Sequence, residues 1–159
     1  MVSRRFSLTI VLLAAAVFAA VVARSQNVRV LQEAPIDEVV AFSSEQLVAL
    51  FRTAAREGLT TTRMLEGGEF NVNIRHAANV TPENYRTLVH PDTIDVWVVQ
   101  QGYGTLVTGG ERTADGHSGG DERFIGVGDL IFIPAGMPHG IKESVSITWL
   151  NIRFPEHRN

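Results

Sequence analysis

The sequence predicts an all-β fold, a compact jelly roll preceded by one short amphipathic helix. From residue 60 onward, short β-type segments are separated by Gly, Pro, Asn and Asp, a spacing that is typical of an antiparallel sandwich or barrel. A helical stripe of apolar residues lies ahead of that region. The 159 residues, of which 45% are hydrophobic and 19% charged, fit one globular domain and leave no room for two full cores.

The first residues of the chain have the pattern of a secretory signal peptide. Arg4 and Arg5 precede residues 8–22, an apolar run in which Thr9 is the only polar residue. We therefore predict a signal peptide over residues 1–25 and a secreted protein, either extracellular or periplasmic. The alternative is an uncleaved membrane anchor, but the run is shorter than the roughly 20 residues of a spanning helix. No stable membrane anchor is expected.

Residues 26–58 are predicted to form an extended arm followed by the helix. Ser43 is placed to cap this helix, with Gln46 three residues further on, as in a capping box. The stripe at i, i+3, i+4 and i+7 consists of Leu47, Leu50, Phe51 and Ala54. Gly58 is well placed to end the helix. We expect the helix to pack across a sheet or a subunit boundary.

Residues 59–159 form the predicted β-domain. Its candidate strands cover residues 61–65, 69–75, 85–90, 95–101, 104–108, 122–127, 130–133 and 146–154. Eight strands in about 95 residues suit a jelly roll. Residues 109–121 are rich in Gly and charge and have no apolar period, so we predict a mobile loop there.

Charge and composition exclude several classes of function. The formal net charge is −3, with 14 Lys and Arg against 17 Asp and Glu, so the chain lacks the basic character that a nucleic-acid partner requires. Cysteine is absent, which excludes disulfides, thiolate metal sites and thiol nucleophiles. Any bound metal must therefore have nitrogen and oxygen ligands. The sequence has no Gly-rich phosphate loop and no Gly-x-Ser-x-Gly elbow, which disfavours a serine triad.

A frame of glycine and proline surrounds one histidine near the end of the chain. Gly128 is followed by five residues and Pro134, then by one residue and Gly136, then by two residues and His139. With this pattern the chain resembles the cupin superfamily, whose second motif has the same spacing. The resemblance covers roughly residues 69–154 and implies a small β-barrel with its site in the mouth.

The first cupin motif is matched in part. Asp95 occupies the position of the motif's Glu, because six residues separate it from Gly102, and His90 fits the motif's second His. Leu88 stands at the position of the first His. The resemblance thus implies His90, Asp95 and His139 as metal ligands, with an apolar residue in place of one usual ligand.

A physical argument for a metal site stands beside the resemblance. Strand alternation places Asp95 and Trp97 on one face, and the proline- and glycine-rich turn before His139 can hold that ring rigidly on a neighbouring strand. Two imidazoles and one carboxylate are the facial set of non-haem iron sites, which leave positions open for substrate or dioxygen. Copper also accepts two imidazoles, and zinc and manganese remain alternatives. We predict one mononuclear metal ion, with copper or iron favoured.

Other roles remain open for these residues. A carboxylate in an apolar strand needs a partner, and an arginine such as Arg75 or Arg153 is the alternative to a metal. Asp95 is also the candidate catalytic acid or base. His139 alternatively makes only a structural hydrogen bond in the barrel mouth. His76 follows apolar residues at even spacing and is a further candidate ligand, as a replacement third nitrogen.

The leading functional hypothesis is a secreted mononuclear metalloenzyme, an oxidoreductase that uses oxygen or peroxide chemistry. Export and small size make the chain similar to the compact copper cupins that cleave cellulose oxidatively, so the expected substrate is an extracellular carbohydrate or another small molecule. One alternative is a non-catalytic cupin that binds a sugar or small acid, and another is a metal-dependent isomerase or lyase. The resemblance also implies a homodimer, in which the arm and helix cross to the partner and cover its edge strands.

Overall fold

The structure, a computed structural model, describes residues 28–113 and 116–157. The predicted signal peptide, residues 1–25, lies outside the described residues. Within the part of the chain that is described, no helix is long and apolar enough to cross a membrane.

One helix and nine strands make up the described chain. The helix is α1 (Ser44–Glu57). The strands are β1 (Val28–Val30), β2 (Thr61–Glu66), β3 (Asn71–Val80), β4 (Thr93–Thr108), β5 (Glu111–Thr113), β6 (Gly116–Ser118), β7 (Asp121–Gly126), β8 (Leu130–Ile133) and β9 (His139–Pro155).

The predicted helix is confirmed, together with both of its ends. The Ser43 side chain accepts a hydrogen bond from the backbone N–H of Gln46, and the Gln46 side chain accepts one from the backbone N–H of Ser43, which completes the capping box. Gly58 follows the helix in the left-handed conformation, with φ of +61°. Phe51 is buried in one cluster with Ile74 of β3, so α1 packs on the sheet of its own chain.

Seven strands form one sheet in the order β1, β2, β3, β9, β4 and β7, with β8 paired to β4. One edge of β4 pairs along its length with β9, while the other edge pairs with β8 in its first half and with β7 in its second half. β1 runs parallel to β2, and the other pairs are antiparallel. The prediction of an all-β jelly roll with one short helix is confirmed.

β4 and β9 form a long ribbon that curls back on itself. Its register pairs Asp95 with Arg153 at one end and Thr108 with His139 at the other. In a flat sheet His139 and Arg153 would lie roughly 45 Å apart, yet both side chains reach Asp95. Register shifts near the middle of the ribbon, together with Gly102 at φ of +71°, produce the bend. The curl closes the barrel and brings the two ends of the ribbon to one site.

Two apolar clusters stabilise this arrangement, one inside the barrel and one beneath α1. The cluster inside the barrel contains Trp97, Val99, Leu106, Ile125, Ile133, Ile141, Ile147 and Trp149. The cluster beneath the helix contains Phe51, Ala54, Met64 and Ile74. Because successive side chains of a strand point to opposite faces, both clusters draw on the same sheet.

Several strand boundaries differ from the prediction. The two strands predicted at 95–101 and 104–108 are one strand, because Gly102 bends β4 without ending it. β9 begins at His139 rather than at residue 146, since its polar first half hides the apolar alternation. No strand forms at 85–90, where Leu88 makes one isolated bridge to His139. Residues 109–121, predicted as a loop, contain the hairpin β5–β6, whose two short strands contain no apolar residue to reveal them.

Candidate metal centre

The barrel brings together three of the four residues that the sequence proposed as ligands. Asp95 lies near the start of β4, His139 is the first residue of β9, and His90 precedes β4. One ligand atom from each lies within 4.8 Å of the other two. Asp95 and His139 are 1% exposed, which makes the site an interior one. These residues form a cluster that is able to hold one metal ion.

The carboxylate of Asp95 is at the centre of the cluster. Its Oδ2 atom lies 3.5 Å from Nε2 of His139 and 3.7 Å from Nε2 of His90. The two imidazole rings have centroids 5.5 Å apart. These distances are too long for hydrogen bonds, and they leave a small gap bordered by two ring nitrogens and a carboxylate oxygen.

His139 is oriented by the turn that precedes it. Its Nδ1 atom donates a hydrogen bond to the carbonyl oxygen of Met137 at 2.8 Å, because a carbonyl only accepts. The backbone N–H of Gly136 donates to the carbonyl oxygen of His90 at 2.7 Å, which ties the turn to the segment that carries the other imidazole. Gly136 has φ of +77°, a conformation that favours glycine. The glycine in the motif thus has a direct role in placing both rings.

The Nε2 atom of His139 is buried and makes no hydrogen bond within the described chain. Since Nδ1 carries the hydrogen, Nε2 of the neutral ring is an acceptor, and it faces an oxygen of Asp95 that also only accepts. Two buried acceptors directed at one gap are unfavourable unless a proton or a cation lies between them. The residues present therefore fit a bound cation.

Arg153 is the second partner of Asp95. Its Nε atom donates to Oδ1 of Asp95 at 2.7 Å, and one terminal nitrogen donates to Oδ2 at 3.2 Å. The same nitrogen lies 2.7 Å from Nε2 of His90, to which it donates. The arginine partner that the sequence left open as an alternative to a metal is thus present, contributed by the register partner of Asp95 on β9.

These contacts set the protonation of the site. Burial, and then the positive charge of Arg153, lowers the pKa of His90 from 6.5 to about 4. Burial alone would raise the pKa of Asp95, but the neighbouring imidazole of His139 and the hydrogen-bonded guanidinium of Arg153 outweigh it and hold that pKa well below its usual value. At neutral pH His90 is neutral and Asp95 is ionised, which are the forms that bind metals.

The structure does not bring His76 to this cluster. Its Nδ1 atom is 2.9 Å from the hydroxyl of Thr148, its register partner on β9. Side chains alternate along β3, so His76 shares a face with Ile74, which packs beneath α1. Arg75, which hydrogen bonds to Thr61, lies on the opposite face. The even spacing that ends at Ile74 therefore does not point to the barrel interior, since Ile74 packs beneath α1.

Two other sequence interpretations concern residues near the site. Leu88, at the position of a usual cupin ligand, pairs its backbone with that of His139 through hydrogen bonds of 2.8 and 3.0 Å. The backbone at Leu88 is therefore paired with the strand that carries His139, although the Leu88 side chain is apolar and offers no ligand atom. His117, in the segment predicted as a mobile loop, has both ring nitrogens buried and packs edge-on against Tyr85.

A cavity of about 1080 Å³ reaches the cluster. His139 and Arg153 form part of its wall, and Trp97 and Trp149 lie beside them. Both tryptophans are buried in the barrel core, and both also face the cavity. The site is therefore accessible to a small molecule.

Neither a protein-family profile nor a curated protein matches the chain by sequence. Solved structures are similar in fold. BH2720 from Bacillus halodurans has a TM-score of 0.51 at 16% identity, over 79% of this chain and 86% of its own. HppE with Co(II) and substrate has a TM-score of 0.46 at 13% identity, over 54% of this chain and 45% of its own. A protein from Ralstonia eutropha JMP134, provisionally described as a mannose-6-phosphate isomerase, has a TM-score of 0.47 at 15% identity, over 60% of this chain and 83% of its own.

These neighbours are cupin-fold proteins. The similarity to BH2720 extends over most of both chains. The chain therefore has the cupin fold, as the two motifs predicted. Identities this low show the fold alone, so the ligand and the chemistry follow from the residues of the site.

Proposed function

We propose that the protein is a mononuclear metal-dependent enzyme in which His90, Asp95 and His139 hold the ion. One observation carries this proposal: the buried Nε2 atom of His139 has no hydrogen-bond partner in the described chain and faces a carboxylate oxygen 3.5 Å away. A divalent cation is a partner that both acceptors share. Burial of the cluster supports tight binding, because charges interact strongly where water is excluded.

A copper or iron ion bound to this donor set would supply one-electron chemistry with oxygen or peroxide. The chain itself fixes the ligands: Met137 sets the tautomer of His139, and Arg153 holds the Asp95 carboxylate. The edge-on contact of Trp97 with His139, at 5.5 Å between ring centroids, helps to exclude water from that ring. Zinc and manganese are the other ions that fit nitrogen and oxygen ligands, and with them an isomerase or lyase reaction is the corresponding form of the proposal.

The first experiment measures metal binding directly. Protein treated with a chelator is titrated calorimetrically with Cu²⁺, Fe²⁺, Zn²⁺ and Mn²⁺, and elemental analysis gives the stoichiometry. We expect one ion per chain, and a loss of affinity of at least about a hundredfold in His139→Gln, because one of three ligands is removed. His157→Gln, at an exposed residue, is the matched control and binds as the wild type does. The absence of tight binding, or equal binding by both variants, would contradict the proposal.

Export and the reaction are further parts of the proposal. The pattern of residues 1–25 supports secretion, and sequencing of the N-terminus of exported protein tests it. Oxygen or peroxide consumption by the metal-loaded protein with a reductant tests the oxidoreductase reaction. Oxidative cleavage of cellulose or a related polysaccharide is the narrower form, and release of oxidised oligosaccharides from cellulose is its test.

The contacts of Arg153 favour a second candidate function, a non-catalytic module that binds a sugar or small acid. In that case the guanidinium is the permanent partner of Asp95 and His90, since it already donates to both. The two functions differ in whether a metal can replace Arg153 at these atoms. The effect of metal on the thermal stability of Arg153→Met separates them.

A further inference from the structure

We propose that the cavity beside the metal centre binds a small oxyanion, a molecule whose carboxylate or phosphate group pairs with Arg75 while its body lies against Trp97 and Trp149. This inference rests on the proposed function, because it names the class of substrate for that same site. Arg75 lies on β3, and its register partner on β9 is Trp149. All three residues line the cavity.

The first argument is the charge of the cavity wall. Among its described lining residues are four arginines, Arg56, Arg75, Arg86 and Arg153, and a single acid, Glu57. Glu57 is already engaged at the rim, where it pairs with Arg29 and Arg56. A cavity lined by an excess of one charge attracts ligands of the other sign.

The second argument is that Arg75 has no anionic partner among the described residues. Asp95, the nearby carboxylate, receives two hydrogen bonds from Arg153. The hydrogen bond of Arg75 goes instead to the neutral hydroxyl of Thr61, and no carboxylate of the described chain lies in ion-pair contact with it. Burial, and then repulsion by Arg153, lowers the pKa of Arg75 to about 10, so the guanidinium is still charged at neutral pH. A half-buried charge of this kind is stabilised by a bound anion.

The third argument comes from the indole groups of the two tryptophans. Trp97 and Trp149 are 3% and 5% exposed, and the Nε1 atom of each is buried without a hydrogen-bond acceptor in the described chain. An indole N–H only donates. Unpaired indole donors beside a guanidinium that has no carboxylate partner in the described chain suit a ligand that offers several acceptor oxygens, as a carboxylate or phosphate does.

Size and position connect this anion site with the metal centre. The cavity volume of about 1080 Å³ is that of a pocket for a small molecule. Because His139 and Arg153 also line it, a ligand held by Arg75 lies next to the proposed metal ligands. A neutral glucan would leave the guanidinium without a counter-ion, so the charge of the cavity favours an organic acid or a phosphorylated or uronic sugar over cellulose.

Fluorescence gives a direct measurement of this binding. The chain contains two tryptophans, and both line the cavity, so the intrinsic tryptophan emission reports on this site. Chelator-treated protein is titrated with citrate, glucuronate and inorganic phosphate at constant ionic strength, and with glucose as the neutral control. We expect a saturable change with at least one anion, weakened by added NaCl, and no saturable change with glucose. No response to any of the three anions, or an equal response to glucose, would overturn the proposal.

Variants assign the anion to Arg75. We expect Arg75→Gln to weaken binding about tenfold to a hundredfold, because a charged hydrogen bond is lost. Arg75→Lys, which keeps the charge, retains part of the affinity. Arg52→Gln, at an exposed residue of α1 outside the cavity, makes the same change in net charge and binds as the wild type does. Equal affinities of the Gln variants, with circular dichroism showing that both are folded, would overturn the assignment.

The metal titration distinguishes this inference from the proposed function. Arg75→Gln is expected to bind metal with the stoichiometry of the wild type, since it contributes no ligand atom to the cluster. Metal binding without anion binding refutes the inference and leaves the metal centre intact. Anion binding without metal binding refutes the metal centre and supports the binding module.

Discussion

Arg153 contacts two of the three proposed ligands, at the same atoms that face the gap between them. Its guanidinium donates to both oxygens of Asp95 and to Nε2 of His90. A metal that uses Nε2 of His90 must displace one of these hydrogen bonds, while the bond from Nε of Arg153 to Oδ1 of Asp95 can persist. Arginine and metal therefore compete for part of the site.

Arg153→Met tests this competition. Without the guanidinium, the buried charge of Asp95 is uncompensated, and we expect the metal-free protein to lose about 3 kcal/mol of unfolding free energy. Bound metal supplies the missing positive charge, so the rise in Tm on adding metal should be larger in Arg153→Met than in the wild type. Thermal unfolding with and without metal measures both effects.

Arg123→Met, at an exposed residue of β7, is the control and should leave both Tm values close to those of the wild type. If metal stabilises the wild type and not Arg153→Met, then Arg153 is part of the cation site rather than its competitor. If metal stabilises neither protein, the binding module is the better description.

At the scale of residues, the sequence predicted which candidate side chains come together better than it predicted their surroundings. His139 was identifiable because the motif fixes its distance from three glycine and proline residues, and Asp95 because a carboxylate interrupts an apolar strand. The arginine partner could not be chosen between Arg75 and Arg153, since that choice depends on the strand register. His76 was misplaced because even spacing shows that residues share a face without showing which face lies inside.

At the scale of elements, the bend in the β4–β9 ribbon is what brings His139 at one end of the ribbon into contact with Asp95 at the other. Gly102 is at the middle of that bend, with φ of +71°. A Cβ atom at this position would overlap the carbonyl oxygen of Ser146 on the paired strand. Any side chain there would force the two strands apart and carry His139 away from Asp95.

We expect Gly102→Ala to lower the unfolding free energy by about 3 kcal/mol or more and to weaken metal binding as well. Gly58→Ala is the matched control, because Gly58 has a similar φ of +61° but no atom within 4 Å of the added Cβ. It should cost only the backbone strain, about 1 kcal/mol, and leave metal binding unchanged. Denaturant unfolding and the metal titration measure the two effects. Equal losses of stability in both variants would mean that contact with Ser146 has no role.

Local patterns predicted the elements that have local causes. The capping residues and apolar stripe of α1 and the bounds of β8 agree with the structure because each depends on neighbouring residues. Other elements depend on contacts with distant strands: pairing between β4 and β9 sets the length of β9 and keeps β4 continuous through its bend. The hairpin β5–β6 depends on backbone pairing between two short polar strands. Such contacts leave no periodic signal in a single strand.

At the scale of the whole molecule, one apolar surface has no cover in the described chain. Phe132, Val96 and Ile152 lie side by side across β8, β4 and β9. Leu130 and Phe154 extend this outer patch, and the exposed fractions of Leu130 and Phe132 are 68% and 59%. β8 is also an edge strand whose described pairing is with β4. We propose that a second copy covers this patch, rather than α1, which packs on its own chain.

Phe132→Glu tests the homodimer. The introduced charge would be buried in the interface, so we expect light scattering to give a dimer for the wild type at micromolar concentration and a monomer for the variant. Phe124→Glu changes a similarly exposed aromatic residue on β7, outside the patch, and should remain dimeric. A monomeric wild type, or a dimer that survives in Phe132→Glu, would contradict this interface.

The closed ribbon has a consequence for how the protein acquires its site. The hydrogen bonds of Arg153 to Asp95 and His90 join residues that are 58 and 63 positions apart in the chain. Such distant contacts form slowly during folding, after the local turns and hairpins. Metal capture during refolding should thus coincide with the final closure of the barrel, and release of the ion should be an early sign that the ribbon has begun to open.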